Sequence, residues 1–252
     1  RSSAQLIADD NAANYIVSAN WTNGANAGFG FTPWAIVTNG PDFHGTYITG
    51  GPAFVIATVT NYIGTNYSDV WGVFANGPTD INQTTVYRGF ANPLGTNTFK
   101  LQWGSRGAGV TTTVNAGQVH GWCGFTLRNG NATNSVDDFN TGVLLYLYFL
   151  DGNVPSTLYV WDGNGVQSVP GTSFSDLGRT SITNAVQAEV TVAPDQLHYH
   201  LVLKDVVKGK TLFTLDSVLI SPGTVDSAAL SPKRRPGTRC IIGCRSRSLT
   251  FL

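Results

Sequence analysis

Four aromatic side chains stand at alternate positions of two neighbouring apolar runs: Tyr146 and Tyr148 in GVLLYLYFL (142–150), Tyr159 and Trp161 in TLYVWDGNG (157–165). Asp151, Gly152, Asn153 and Pro155 break the sequence between them, so the runs are predicted to be two central strands of a hairpin. If Leu150 lies opposite Thr157, Tyr148 falls opposite Tyr159 and Tyr146 opposite Trp161, because side chains change face at every residue. Pyranose rings present apolar C–H faces that stack on such rings, and tyrosine hydroxyls bond sugar hydroxyls. The other face carries Val143, Leu145, Leu147 and Phe149 against Leu158 and Val160, an aliphatic surface suited to packing on a second sheet. Two readings of the aromatic block stay open: a sugar-stacking platform, to which tryptophans of the N-terminal segment would add, or core whose hydroxyls bond loop backbone.

Acid chemistry has few carriers. Glycoside hydrolysis needs two carboxyl groups about 5–9 Å apart, and Glu189 is the only glutamate of the chain. A catalytic pair would therefore combine Glu189 with an aspartate such as Asp138 or Asp162, or use two aspartates. Glu189 shares its strand face with Gln187 and Thr191, so simple solvent exposure explains it equally well. For metals, Asp151, Asn153, Asp162 and Asn164 place oxygen ligands in tight turns, which suits calcium. The same residues are ordinary turn formers. His198 and His200, two apart on one strand, could chelate a transition metal jointly, or stand solvated. A serine hydrolase is disfavoured because no G-x-S-x-G elbow occurs, and phosphate-loop and dinucleotide patterns are absent.

The elements that must position these residues are strands. Across 252 residues charged side chains make up only 12%, glycine reaches 29 and methionine is absent, which argues against long helices. Strands are expected at Trp34–Val37, Thr46–Ile48, Phe54–Val59, Val70–Phe74, Val86–Phe90, Thr98–Trp103, Val110–Val114 and Val119–Leu127. After the central hairpin come Ala185–Val192 and a second hairpin, Gln196–Val207 with Thr211–Leu215, turning at Gly209. Turn residues recur every eight to twelve positions, the cadence of a β-sandwich or jelly roll. Along Gln196–Val207, His198, His200, Val202 and Lys204 share the outward face and Leu197, Tyr199, Leu201 and Leu203 the inward one. Between Ala8 and Gly40, glycines alternate with aromatics, the composition of a strap whose backbone runs close to a sheet while its rings dock.

The order of ADD (8–10), NWTNGANAGFGFTPW (20–34), DVWGVFANG (69–77), LYFLDGN (147–153), TLYVWDG (157–163) and a late segment at Val225, Asp226 and Ser227 resembles a group of secreted bacterial β-sandwich proteins. Many of that group carry a C-terminal PEP-CTERM (exosortase) sorting signal. The resemblance spans roughly residues 8–230 and implies a concanavalin-like or jelly-roll sandwich with an extracellular address. It carries over no functional residue, since its motifs are compositional.

One β-sandwich domain over residues 1–230 and a basic tail over 231–252 are expected. Residues 1–230 hold 9 Lys+Arg against 15 Asp+Glu, whereas 231–252 hold 6 basic residues and no acid. The tail is read either as a basic surface extension or as an out-of-frame end of the gene: one permitted codon choice, shifted by two bases, yields an alternating, acid-containing strand. No basic face interleaved with aromatics marks the body as a nucleic-acid binder. No run of 18 apolar residues marks a transmembrane span. The start at Arg1 fits a mature form whose signal peptide has been removed. Three functions are carried forward: secreted glycan binding, a carbohydrate-active enzyme (glycoside hydrolase or lyase) on the same scaffold, and a structural surface or matrix protein.

Overall fold

The structure, a computed structural model, describes residues 6–12, 14–15, 21–40, 44–49, 70–76, 83–107, 122–130, 141–150, 158–169, 186–205, 209–233 and 239–251. In chain order the first strands are β1 (Phe31–Asn39), β2 (His44–Thr49), β3 (Val70–Asn76), β4 (Gln83–Phe90), β5 (Thr98–Gly107) and β6 (Trp122–Arg128). They are followed by β7 (Val143–Leu150), β8 (Leu158–Asp162), β9 (Gly165–Ser168) and β10 (Val186–Val192). The last are β11 (His198–Asp205), β12 (Lys210–Val218), β13 (Ser227–Lys233) and β14 (Arg239–Phe251). The strands expected at Phe54–Val59 and Val110–Val114 lie outside the described residues.

The strands form two sheets, β1-β4-β13-β6-β7-β8-β9 and β12-β11-β10-β5-β14-β3-β2, with antiparallel pairing throughout. The protein is an all-β, two-sheet antiparallel sandwich. Alternation decides which side of each strand enters the interior. Val86, Phe125, Leu127, Leu145, Leu147, Leu158 and Val160 from the first sheet meet Phe99, Leu101, Ala188, Val190, Leu201 and Leu203 from the second, all buried in one cluster. Phe99 bridges the layers, with Phe90 at 6.0 Å and Phe125 at 5.9 Å between ring centroids. Among the described residues no helix is long and apolar enough to cross a membrane.

The central hairpin has the expected register, Tyr146 opposite Trp161 and Tyr148 opposite Tyr159. One expectation is corrected. The ladder between β6 and β7 shifts from Leu127↔Leu145 to Arg128↔Val143, so Leu144 is an extra residue in the strand, a β-bulge. Past it the faces exchange: Leu144 enters the main core, and Val143 packs beside Tyr146 rather than with the aliphatic set. The second hairpin turns at Gly209, whose φ of 64° falls in the left-handed region.

The boundary drawn between residues 230 and 231 falls inside β13, where Ser231 is buried. Residues 239–251 pair as β14 between β3 and β5. The basic segment thus begins in the first sheet, at the end of β13, and its residues 239–251 lie within the second.

The strap is held by a buried ionic cluster with no local sequence pattern. Arg88 on β4 donates from Nη2 to Asp10 Oδ2 at 2.7 Å and to Ala27 O at 2.9 Å, and from Nη1 to Thr32 O. Its guanidinium lies 4.8 Å from the Trp34 ring centroid and 5.2 Å from that of Phe31, within cation–π range. Tyr15 donates its hydroxyl to Asp10 Oδ2 at 2.6 Å, while Ala27 N and Trp34 Nε1 donate to Tyr15 Oη at 3.0 and 2.9 Å. Burial, reinforced by the bond to Asp10, pushes the Tyr15 hydroxyl up to about 12. Trp21 stacks on Trp71 at 5.7 Å and Trp34 meets Trp71 edge-on at 5.2 Å. Rings therefore dock on the sheet as the strap's composition predicted. A consequence for function is that Trp21 and Trp34 are core, at 3% and 2% exposure, and do not join the aromatic platform.

Candidate functional site

Tyr146, Tyr148, Tyr159 and Trp161 lie on the side of β7 and β8 turned away from the sandwich interior, since their neighbours Leu145, Leu147, Leu158 and Val160 are the interior ones. Tyr148 and Tyr159 stack with centroids 5.5 Å apart at 18°, and Tyr146 and Tyr148 at 4.4 Å and 27°. Trp161 is tilted against Tyr146 at 6.5 Å. Exposure grades across the row. Tyr146 is buried, packed with Val143 and Ile220, while Tyr148, Tyr159 and Trp161 are half-buried. Burial, then the neighbouring Tyr159, pushes the Tyr148 hydroxyl above its ordinary value.

The outer strand β9 extends this face with residues that sequence reasoning missed. Val166 is paired with Trp161 and Ser168 with Tyr159, and both are exposed. The signal was present in the alternation of Val166 and Ser168 beyond Gly165, where the expected hairpin had been ended. In the opposite direction the same face continues through Thr126, Ala229 and Tyr87, then Gly124, Ser231 and Thr85, all buried. Along these two rows the face is thus open at the β7–β8–β9 end and closed over β6, β13 and β4.

Asp162 is buried and faces the other way. Its Oδ2 accepts from Tyr199 Oη at 2.6 Å and from Gln167 Nε2 at 3.4 Å, and its Oδ1 accepts from Asn164 N at 2.8 Å. Asn164 Nδ2 in turn donates to Ser217 Oγ at 2.8 Å. This network ties the β8–β9 turn of the first sheet to β11 and β12 of the second, together with Gly163 N donating to Val218 O at 2.9 Å. Burial and then the bond to Asp162 raise the Tyr199 hydroxyl well above the tyrosine range. Asp162 Oδ2 is thus occupied by the inter-sheet bond to Tyr199 and Oδ1 by a bond within the β8–β9 turn, whereas calcium takes six to eight oxygen ligands. Among the described residues no three His, Cys, Asp or Glu side chains converge as a metal site. Asp138, Asp151 and Asn153 lie outside the described residues.

Glu189 is on the outward face of the second sheet, between buried Ala188 and Val190. Its Oε1 accepts from Lys204 Nζ at 2.7 Å and from Gln187 Nε2 at 2.5 Å, with Lys100 Nζ at 3.9 Å. The sandwich, whose layers pack about 10 Å apart, separates it from the aromatic row. It cannot act on a ligand lying there.

His198 and His200 are exposed on β11 as the alternation predicted, and line an open groove of about 700 Å³ with Thr96, Thr191, Asn164, Asp216 and Ser217. His198 Nδ1 lies 2.5 Å from Asp195 Oδ2, and His200 Nδ1 lies 2.7 Å from Asp216 Oδ1. Asp195 Oδ1 also accepts from Leu197 N and His198 N, both at 3.0 Å. The backbone and side-chain bonds from His198, with the backbone of Leu197, hold the Asp195 carboxyl down at about 2. Folding depresses this group. What its ionised form contributes is therefore complete above the unfolded value near 3.8 and is lost as pH falls through about 2. A carboxyl-carbon NMR titration is expected to place its midpoint near 2. A midpoint near 4, the unperturbed aspartate value, would show that the turn at Asp195–His198 does not persist in solution.

The chain matches no family model and no curated protein. Solved structures similar to it include a legume lectin-like domain from Entamoeba histolytica, at 8% identity and TM-score 0.43, covering 79% of this chain and 87% of that one. Lectin II from Ulex europaeus is 10% identical at TM-score 0.44, covering 83% and 90%. The VIP36 exoplasmic/lumenal domain in its Ca2+/Man3GlcNAc-bound form is 10% identical at TM-score 0.39, covering 71% and 78%. Likeness at this level carries neither a ligand nor a site to this chain.

Proposed function

We propose that this protein is a noncatalytic glycan-binding sandwich whose ligand lies across Tyr148, Tyr159, Trp161, Val166 and Ser168. The observation that carries this is the row of three half-buried rings, Tyr148, Tyr159 and Trp161, facing outward beside exposed Val166 and Ser168. An outward row of aromatic rings edged with hydroxyls is the combination that a pyranose with one C–H face and equatorial hydroxyls matches. None of the five side chains is charged, so recognition rests on stacking and neutral hydrogen bonds. The enzyme reading is disfavoured: Glu189 is on the far sheet, Asp162 is turned into the inter-sheet network, and among the described residues no carboxylate pair flanks the row. An extracellular address belongs to the same proposal, supported by the low charge and by a binding face for extracellular polymers.

A glycan array run beside a reducing-sugar assay tests it. Binding of at least one oligosaccharide class without release of reducing ends is expected. Tyr159→Ala and Trp161→Ala should each weaken binding about tenfold to a hundredfold, the loss of about 1–3 kcal/mol that stacked aromatic contacts supply. The far-UV spectrum should stay unchanged. Release of reducing ends would make the protein an enzyme. Unfolding of Trp161→Ala with unaltered binding in Tyr159→Ala would make the row structural.

A further inference from the structure

The two histidines of β11 lie on the outward face of the second sheet, the opposite side of the sandwich from the aromatic row. Residues two apart on a strand share a face with Cα atoms about 6.6 Å apart, so both rings border the same groove. Each ring is fixed from behind: Asp195 Oδ2 holds His198 Nδ1 at 2.5 Å, and Asp216 Oδ1 holds His200 Nδ1 at 2.7 Å. A carboxylate can only accept, so Nδ1 is the donor in both pairs, and a neutral ring then carries its lone pair on Nε2. No described group bonds either Nε2, and the side chains are 60% and 47% exposed.

A carboxylate behind each imidazole is the outer-shell arrangement that orients metal-binding histidines and raises their basicity. We propose that His198 and His200 jointly bind a borderline divalent transition-metal ion of the zinc or copper class through their Nε2 atoms, with Asp195 and Asp216 as positioning residues. Imidazole nitrogen selects this class over the hard cations, which take oxygen. The two carboxylates also leave the groove mouth negative once the rings are neutral, which favours a cation there. Water completes the coordination sphere, as at sites left open on the solvent side. The site is independent of the glycan reading, since no residue is shared between them.

The probe is zinc ion alone, titrated calorimetrically into the full chain free of any histidine tag at pH 7.5, with cupric ion as a second probe. One equivalent is expected to bind saturably. His198→Gln/His200→Gln should weaken it about a hundredfold, and Asp195→Asn or Asp216→Asn about tenfold or more. His44→Gln and His120→Gln should leave it unchanged, and millimolar calcium should not compete. Cupric ion should broaden the ring resonances of His198 and His200 ahead of those of the other two histidines. Absence of saturable zinc binding overturns the proposal, as does binding undiminished in the double variant. If that variant does not fold, the single variants decide: each is expected to lose about tenfold, and equality with the parent overturns it.

Discussion

Asp10→Ala is expected to remove about 3–5 kcal/mol of stability, the usual cost of deleting one member of a buried ion pair. For a chain of this size that lowers the melting temperature by about 6–20 °C. The reason lies in what is left behind. Arg88 is 1% exposed and Asp10 is fully buried, so with Asp10 gone a guanidinium stays out of water facing the carbonyls of Ala27 and Thr32, the Tyr15 hydroxyl and two aromatic rings, with no anion beside it among the described residues. Tyr15 loses the acceptor of its shortest bond at the same time. Burial dominates both partners: it raises the Asp10 carboxyl despite Tyr15 and Arg88, and lowers the Arg88 guanidinium despite Asp10. The pair therefore specifies where the strap sits more than it adds net stability. Removing both charges together, as Asp10→Leu with Arg88→Met, should recover most of the loss. Thermal and urea unfolding of the three proteins measure this. An Asp10→Ala protein within 1 kcal/mol of the parent would mean that the clamp is not formed in solution.

Gly124→Ala is expected to cost about 3 kcal/mol, at the upper end of what overpacking a sheet interior costs. Gly124 is in β6 opposite Tyr148, and β6 lies in the middle of the first sheet between β13 and β7. A Cβ at this position would run into the Leu147 carbonyl oxygen and lie 2.6 Å from Tyr148 Cα. Backbone of the neighbouring strand cannot rotate aside as a flexible side chain can, so the ladder itself must open. Gly165→Ala is the control, because it has a left-handed φ of 93° but open space around its Cβ. That substitution carries only the conformational cost of about 1–2 kcal/mol. Calorimetry of both variants, ranked against the parent, tests the packing of the aromatic sheet. A Gly124→Ala protein no less stable than Gly165→Ala would show that β6 and β7 are not in the close contact described.

Much of the frame was legible in the residues. The pairing of Tyr146 with Trp161 and of Tyr148 with Tyr159, the turn at Gly209 and the outward histidines all follow from period-two alternation and loop length. These relations hold within a hairpin, so the chain encodes them over short distances. The candidate site was legible only as far as its central strands. Val166 and Ser168 were missed because a second turn at Asp162–Gly165 returns the chain as β9 along the same face. Val143 was misplaced because a bulge changes the parity of the alternation, and nothing in VLLY marks Leu144 as the extra residue.

The sequence by itself determined that this protein is built of antiparallel strands and that one hairpin carries an aromatic face and an aliphatic face. Alternation and turn chemistry are properties of adjacent residues, and no partner is needed to read them. Only the tertiary structure decided the rest. It set Asp162 against Tyr199, 37 residues away, and so turned a candidate carboxylate into a tie between sheets, and it set Asp10 against Arg88, 78 residues away. It buried Trp21 and Trp34 while leaving the β7–β8–β9 end of the first sheet open. A carboxylate's role and a ring's exposure depend on what packs against them from distant parts of the chain, and that is a matter of which strands become neighbours rather than of which residues are consecutive.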